Sequence, residues 1–319
     1  MEIMPAERMI LQVSAVVIGL NLLMIYIQDA QIDWRAYGTL ASITIGCFLL
    51  GQFYRVSGRS PRIGLALICT GLFPIFSWSI VMFNYLLMPT ARVPLDQSLI
   101  WLDSLFGYDW PSLVAWAAEH PFINNVLRVV YMSTIPQIAL LIIILGLTGR
   151  AKQLHVVMVS ITITSVIAVA FWGGFPSHGP ASIMNLAAEV EQLAAPLVTL
   201  DYGRNLLRMA AEGPGFISPA NVKGLIAFPS YHAVLAFTAA YGMRGIKGLF
   251  PVFLIVNTIM IPATMLHGGH HMLDLVAGFA LFAFGVYSAE KLVRGMYQRT
   301  GDPVILDKDS DASTANATA

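Results

Sequence analysis

Two short segments hold the side chains best suited to chemistry, FPSYHA at 228–233 and HGGHHMLD at 267–274. His270 and Asp274 are four residues apart, a spacing that stacks them on one face of a helix. Asp274 can then accept the ring N–H of His270 and fix its tautomer and orientation. The other ring nitrogen is left free to act as a nucleophile. His232, arriving from a different segment, can face it across a substrate and serve as general acid. Ser230 follows Pro229 at a predicted helix start, where its hydroxyl and nearby backbone N–H groups suit an anion. Positive charge for that anion is available from Arg204 and Arg208, four apart on one predicted helical face, and from Lys223 just before FPSYHA. Guanidinium forks match phosphate oxygens. The competing reading of the two arginines is that they reach lipid headgroups or pair with Asp201 and Glu212.

The remaining histidines have plainer explanations. His120, His155 and His267 each stand beside apolar helix, where a lone histidine is ordinarily packed or interfacial. FPSH at 175–178 resembles FPSYH but lacks a continuous span after it, so His178 is a minor candidate. A zinc site built from His267, His270, His271 and Asp274 is chemically possible, but the H-E-x-x-H pattern is absent and the adjacent His270 and His271 diverge on a helix. No metal and no cofactor are therefore expected.

These residues need a scaffold, and composition says which kind. The chain has 319 residues, 57% hydrophobic and 11% charged, with a mean hydropathy of +0.70. That is too apolar for one soluble core. Formal net charge is zero, so nothing argues for a nucleic-acid partner. Cys47 and Cys69 both fall within apolar stretches, where a disulfide framework is not the default. Spanning a hydrocarbon layer of about 30 Å takes ~20 apolar residues, and eight stretches qualify: 9–28, 37–54, 63–89, 129–148, 155–173, 229–243, 248–266 and 272–290. The fold expected is all-α, a polytopic transmembrane bundle of about eight spans, forming a single membrane domain over 1–299. The first span lacks the basic leader and cleavage site of a signal peptide and reads as retained.

Orientation follows from basic residues in short loops. Arg55, Arg59 and Arg62, then Arg150 and Lys152, then Arg244 and Lys247 occupy loops of one parity, whereas Asp29, Asp33, Asp96, Asp103, Asp109 and Glu119 occupy the other. Both termini are expected in the cytoplasm, with residues 300–319 a disordered tail and both chemistry-bearing segments at the outer face. Two outer loops are long enough for structure. In 90–121, Trp101, Phe106, Tyr108, Trp110 and Trp116 among acidic residues suit a helix at the interface. In 175–228, Ile183, Leu186, Val190, Leu193 and Leu197 form a helical apolar stripe, with Pro196 able to kink it. From Ser230 to about residue 243 a helix rises only ~20 Å, which places Ser230 and His232 slightly below the outer headgroups.

FPSYHA followed after a helical hairpin by GGHHMLDLVAG resembles the type 2 phosphatidic acid phosphatase superfamily, and within it the inositol phosphorylceramide synthase-like, or inositolphosphotransferase, branch. The signature covers about 200–285; the LDQSLIWLDSLFG segment fits the branch's layout more loosely. The resemblance implies a phosphohistidine mechanism in which His270 attacks phosphorus, Asp274 orients it, His232 protonates the leaving oxygen and Ser230 lines the phosphate pocket. The superfamily's first motif, a lysine followed at a distance by Arg-Pro, is absent. Thr264 stands where many members place an arginine, and Tyr231 replaces the usual small residue beside the second histidine. By resemblance to the branch, Arg208 is the substitute phosphate ligand. Implied partners are a lipid phosphate or phospholipid and the surrounding membrane lipids, in the inner (plasma) membrane of a bacterium with the site facing the periplasm. Hydrolysis and transfer to an alcohol both use these residues, because phosphoryl transfer rests on positioning and electrostatics. A transporter, the reading from another class, would carry charges at the membrane midplane, and the apolar spans carry none there.

Overall fold

The computed structural model describes residues 3–300. The tail expected over 300–319 lies outside the described residues, apart from Thr300 where the last helix ends. Among the described residues there are thirteen α-helices, one 3-10 turn and no strand. This is an all-α integral membrane bundle.

Three long apolar helices open the chain: α1 (Pro5–Gln28), α2 (Trp34–Val56) and α3 (Pro61–Leu86). Proline begins α1 and α3, where the missing N–H costs nothing. The Asp33 carboxylate caps α2 by accepting from Ala36 N–H at 3.0 Å. Glycine lets α2 and α3 pack closely: a Cβ on Gly51 would lie 2.7 Å from the Ile68 amide nitrogen, and one on Gly71 2.7 Å from the Thr44 carbonyl oxygen. Without a hydrophobic force between helices in lipid, such small-residue contact supplies the association.

The connection after α3, predicted to be the first outer loop, contains two short helices, α4 (Asp96–Leu105) and α5 (Trp110–Glu119). Trp101 and Phe106 are exposed, as interfacial rings would be, but Trp110 is buried in a cluster with Val114, Leu127 and Leu266. The fourth predicted span is two pieces, α6 (Pro121–Met132) and α7 (Thr134–Leu147), bent by 47°. The bend has local causes. Pro136 has no N–H for the carbonyl one turn before it, and the Ser133 and Thr134 hydroxyls donate to the carbonyls of Val130 and Tyr131 at 2.6 and 2.9 Å. The sequence places this span's start at 129, whereas the helix begins eight residues earlier.

After α8 (Ala151–Gly174) the chain runs through a 3-10 turn at Pro180–Ser182, α9 (Ala188–Ala194) and α10 (Leu200–Glu212). The continuous apolar stripe expected over 183–197 does not form one helix. Ile183 precedes α9 in a non-helical stretch, and Ala195 adopts a left-handed conformation (φ 43°) before Pro196, since a residue preceding proline is pushed out of the α region. The bundle closes with α11 (Tyr231–Gly242), α12 (Leu249–His267) and α13 (Met272–Thr300). Among the described residues, six helices are long and apolar enough to cross a membrane, or seven spans result if the bent α6–α7 pair is one. All eight predicted stretches hold helix, but α11, with 12 residues, rises only ~18 Å, short of the ~30 Å layer.

α11 and α13 are brought together by glycine. A Cβ at Gly278 would lie 2.6 Å from the Ser230 carbonyl oxygen and 3.0 Å from the Ala233 methyl. In addition, the Ser230 N–H donates to the Asp274 backbone carbonyl at 2.9 Å. The first turns of α11 and α13 are thus joined, and with them FPSYHA and HHMLD.

Candidate active site

His270 sits in the tight turn 268–271 between α12 and α13, not on a helix. Its Nδ1 is 3.0 Å from Asp274 Oδ2. The same oxygen accepts the His271 N–H at 2.9 Å, so Asp274 caps the start of α13 while it orients the ring. A carboxylate on Nδ1 requires the proton there and leaves Nε2 as the lone-pair nitrogen. Nε2 is 3.5 Å from Ser230 Oγ, at the outer limit of a hydrogen bond. Ser230 is buried and also caps α11, accepting from Ala233 N–H at 3.4 Å.

His232 lies in the first turn of α11 with its ring centroid 6.3 Å from that of His270, near edge-on at 66°. Tyr131, delivered by the last turn of α6, stacks on His232 at 4.4 Å and 23°. The bend after α6 therefore has a use: it ends the helix where its tyrosine meets a site histidine. Tyr231, the bulky residue beside His232, points away from His270 and makes hydroxyl contacts with Ser165 and the Ile161 carbonyl on α8.

The two histidines open onto a cavity of about 640 Å³. Much of its wall is apolar, including Phe73, Trp78 and Val81 of α3, Ile161 of α8 and Leu235 of α11. Lys223 stands at its edge, with Nζ 5.2 Å from the ring centroid of Tyr202. Arg204 and Arg208 share an exposed face of α10, outside the cavity lining. Arg204 pairs with Asp201, and Arg208 donates to Asn205 Oδ1 at 2.7 Å. Among the cationic residues singled out in the sequence, Lys223 alone lines the cavity with His270 and His232.

A second layer holds the turn, and sequence reasoning missed it. The ring of His271 is buried between two acids of α4, with Nδ1 2.8 Å from Asp103 Oδ2 and Nε2 3.5 Å from Asp96 Oδ1. Asp103 also accepts the Met272 N–H at 3.1 Å, and Tyr108 donates its hydroxyl to the His270 carbonyl at 3.0 Å. Burial opposes charge on His271, but the hydrogen bonds to Asp103 and Asp96 and the Asp274 charge outweigh it, raising its pKa from 6.5 to about 9. Burial likewise works against the Asp96 carboxylate, yet bonds from His271, His178, Ser177 and Gly179 hold its pKa below the usual 3.8. The signal in the sequence was the seven-residue spacing of Asp96 and Asp103, two helical turns and hence one face.

Asp96 further fixes the FPSHG loop after α8, accepting the N–H groups of His178 and Gly179 at 2.9 and 2.8 Å and the Ser177 hydroxyl at 2.8 Å. Gly179 (φ 82°) abuts the 268–271 turn so closely that a Cβ would overlap the Gly269 carbonyl oxygen. His267 belongs elsewhere: its Nε2 is 3.1 Å from the Asn124 carbonyl oxygen. The side chains of His267, His270 and His271 thus face three different partners rather than one point.

Comparison with curated proteins and with solved structures gives no match. Residues 97–288, more than half of the chain and including every residue of the HHMLD, FPSYHA and α4 clusters except Asp96, match the PAP2 superfamily, and the protein belongs to that superfamily, which carries phosphatase or phosphotransferase activity.

Proposed function

We propose that this membrane protein removes a phosphoryl group from a lipid phosphate through a covalent phosphohistidine on His270. The observation that carries the reading is the His270 ring, held through Nδ1 by Asp274 at 3.0 Å and presenting Nε2 beside Ser230 to a large, mainly apolar cavity. The Nε2 lone pair forms the P–N bond as the bond from phosphorus to the leaving oxygen breaks. The proton on His232 passes to that oxygen. His232 then takes a proton from the incoming water or alcohol, whose oxygen displaces the histidine from phosphorus. Asp274 stays ionised and stabilises the charge that develops on His270. Ser230, the positive end of the α11 dipole and Lys223 receive the phosphate oxygens.

The apolar wall contributed by α3, α8 and α11 suits acyl chains, so the lipid keeps its chains in a dry environment while its phosphate meets the histidines. The short α11 supports a reaction slightly below the headgroup level. The uniform loop-charge bias supports an outer-face site, periplasmic in a bacterial inner membrane, with both termini inside. Impermeant labelling of single cysteines at 180–220 but not at 56–61 tests that direction.

The decisive experiment is single-turnover reaction of a ³²P-labelled lipid phosphate with acid and base quenches. A base-stable, acid-labile protein adduct is expected in the parent protein and absent in His270→Ala. His232→Ala should lose ~10²- to 10⁴-fold on an alkyl leaving group and far less on an aryl phosphate, whose phenolate needs little protonation. An adduct that survives in His270→Ala, or equal losses of His232→Ala on both substrates, would overturn this division of labour.

A further inference from the structure

Beside the proposed nucleophile the cavity has polar groups that the phosphoryl-transfer steps do not use. His178 is 3% exposed and lines the same cavity as His270 and His232. Neither of its ring nitrogens has a hydrogen-bond partner among the described residues. The ring is nevertheless well fixed. Its backbone N–H is held by the Asp96 carboxylate at 2.9 Å, and Trp172 packs edge-on at 5.9 Å. The next residue, Gly179, rests against Gly269, one position before the nucleophile. Asn84 of α3, 5% exposed, lines the cavity too, and its Nδ2 also has no partner among the described residues. Buried polar groups left without partners are costly and uncommon. Three such atoms on two side chains in one cavity, the imidazole held firmly by its backbone and by Trp172, point to a ligand that completes them.

The chemistry of those atoms narrows the ligand. None of the residues lining the cavity is acidic. Burial lowers the pKa of His178, and the nearby Asp96 charge only partly opposes this, so its imidazole is neutral at neutral pH. A neutral imidazole offers one N–H and one lone pair, and the Asn84 amide nitrogen offers N–H only. A phosphate or carboxylate would leave the imidazole lone pair unmatched, and an ammonium would leave both donors unmatched. Hydroxyl groups donate and accept at once. Two on adjacent carbons can satisfy the imidazole lone pair with one O–H while giving oxygen acceptors to both N–H groups.

We propose that His178 and Asn84 form an acceptor subsite for an uncharged polyhydroxy alcohol, which takes the phosphoryl group from His270 in competition with water. The inference rests on the phosphohistidine reading above. In the step it adds, one hydroxyl oxygen of the alcohol forms a bond to phosphorus and the P–Nε2 bond breaks. The hydroxyl proton goes to His232, and the electron pair of the broken bond returns to His270. His178 and Asn84 hold the neighbouring hydroxyl and are binding residues for the acceptor.

The test uses the full chain in lipid nanodiscs with a ³²P-labelled lipid phosphate and, in parallel, glycerol, 1,3-propanediol or 1-propanol as acceptor. Trapped phosphoenzyme, inorganic phosphate and phosphorylated alcohol are all measured. In the parent protein the ratio of phosphorylated alcohol to inorganic phosphate should be highest with glycerol, whose hydroxyls are adjacent. His178→Phe and Asn84→Leu should each lower that ratio by roughly tenfold, the effect of one lost hydrogen bond. His178→Gln, which keeps a donor and an acceptor, should recover much of it, and because the ratio is internal it does not depend on how much protein folds. Phosphoenzyme that discharges only to water with all three alcohols, or a ratio unchanged in both variants, overturns the acceptor subsite alone. Absence of any trapped phosphoenzyme in the parent protein overturns the phosphohistidine reading and the subsite with it.

Discussion

Neutralising Asp103 should destabilise the protein most at neutral and acid pH, where His271 is protonated. His271 is 1% exposed and faces Asp103 at 2.8 Å and Asp96 at 3.5 Å, with Asp274 the other nearby charge. Its pKa rises from 6.5 to about 9 on folding, which at ~1.36 kcal/mol per unit corresponds to about 3 kcal/mol of stability. Because the folded pKa is the higher one, this stabilisation is complete below pH 6.5 and is lost as pH climbs through about 9. Asp103→Asn keeps an oxygen for the Met272 N–H but removes the nearest negative charge. A carboxylate at this range raises a histidine pKa by ~1 to 3 units, so the alkaline midpoint should fall by at least ~1 pH unit, to about 8 or lower. The melting temperature of the solubilised protein, read by intrinsic tryptophan fluorescence from about pH 6 to 10, should show the variant several degrees below the parent at the acid end, where His271 is charged in both, with the two curves converging as pH passes about 9. The turn that carries His270 is held by the same pair, so on the proposed mechanism the variant's activity should be lower over the same interval. Superimposable melting curves at every pH, or a deficit that stays the same above pH ~9, would refute the reasoning.

Three further outcomes follow from the geometry. Gly179→Ala places a methyl on the Gly269 carbonyl in a backbone conformation (φ 82°, ψ 165°) that suits only glycine; it should destabilise by ~1–3 kcal/mol or more, seen as a lower melting temperature with disproportionate loss of turnover. Lys223→Ala should raise KM for a lipid phosphate by about tenfold or more, whereas Arg208→Ala, whose side chain stands outside the cavity lining, should change it less than twofold; the reverse order in steady-state kinetics would move the phosphate site to α10. Gly278→Leu inserts its side chain where α13 meets the Ser230 carbonyl, and should abolish phosphoenzyme formation even if circular dichroism shows the helices intact.

The legible parts of the sequence were those whose physics is local. Apolar length alone located all eight helical stretches, and the spacing of His270 and Asp274 announced their contact, although it is made across a turn and not along a helix. Where the sequence reading departed from the structure, a neighbouring residue decided the matter. Pro136 and two hydroxyls broke the fourth span, and Pro196 ended a helix that the apolar stripe alone would have continued. The second layer was hidden for a different reason. His271 meets Asp103 across a separation of 168 residues and His178 meets Asp96 across 82, and no periodicity encodes such a pairing. Arg204 and Arg208 were read correctly as one helical face, but which way that face turns depends on the packing of α10 against the rest of the chain. Lys223, with no periodic signal at all, is the cation at the cavity.

The turn that carries His270 is thereby fixed from several sides, while its Nε2 is left for the reaction proposed above. Asp274 takes the His270 ring and the His271 amide, Asp103 takes the His271 ring and the Met272 amide, Tyr108 takes the His270 carbonyl, and Gly179 blocks movement of Gly269. These restraints come from α4, the loop after it and the FPSHG loop, as well as from α13 itself. Immobilising a turn in this way sets the ordering cost of the nucleophile at folding instead of at each turnover, which is how positioning lowers a barrier. The arrangement also explains why a short interfacial helix carries two buried acids. Asp96 and Asp103 do not line the cavity beside His270; they bind the outer loops to the turn on which it stands. Substitutions in α4 should therefore alter the rate of phosphorylation through the orientation of His270, with little effect on how the lipid chains are held by α3 and α8.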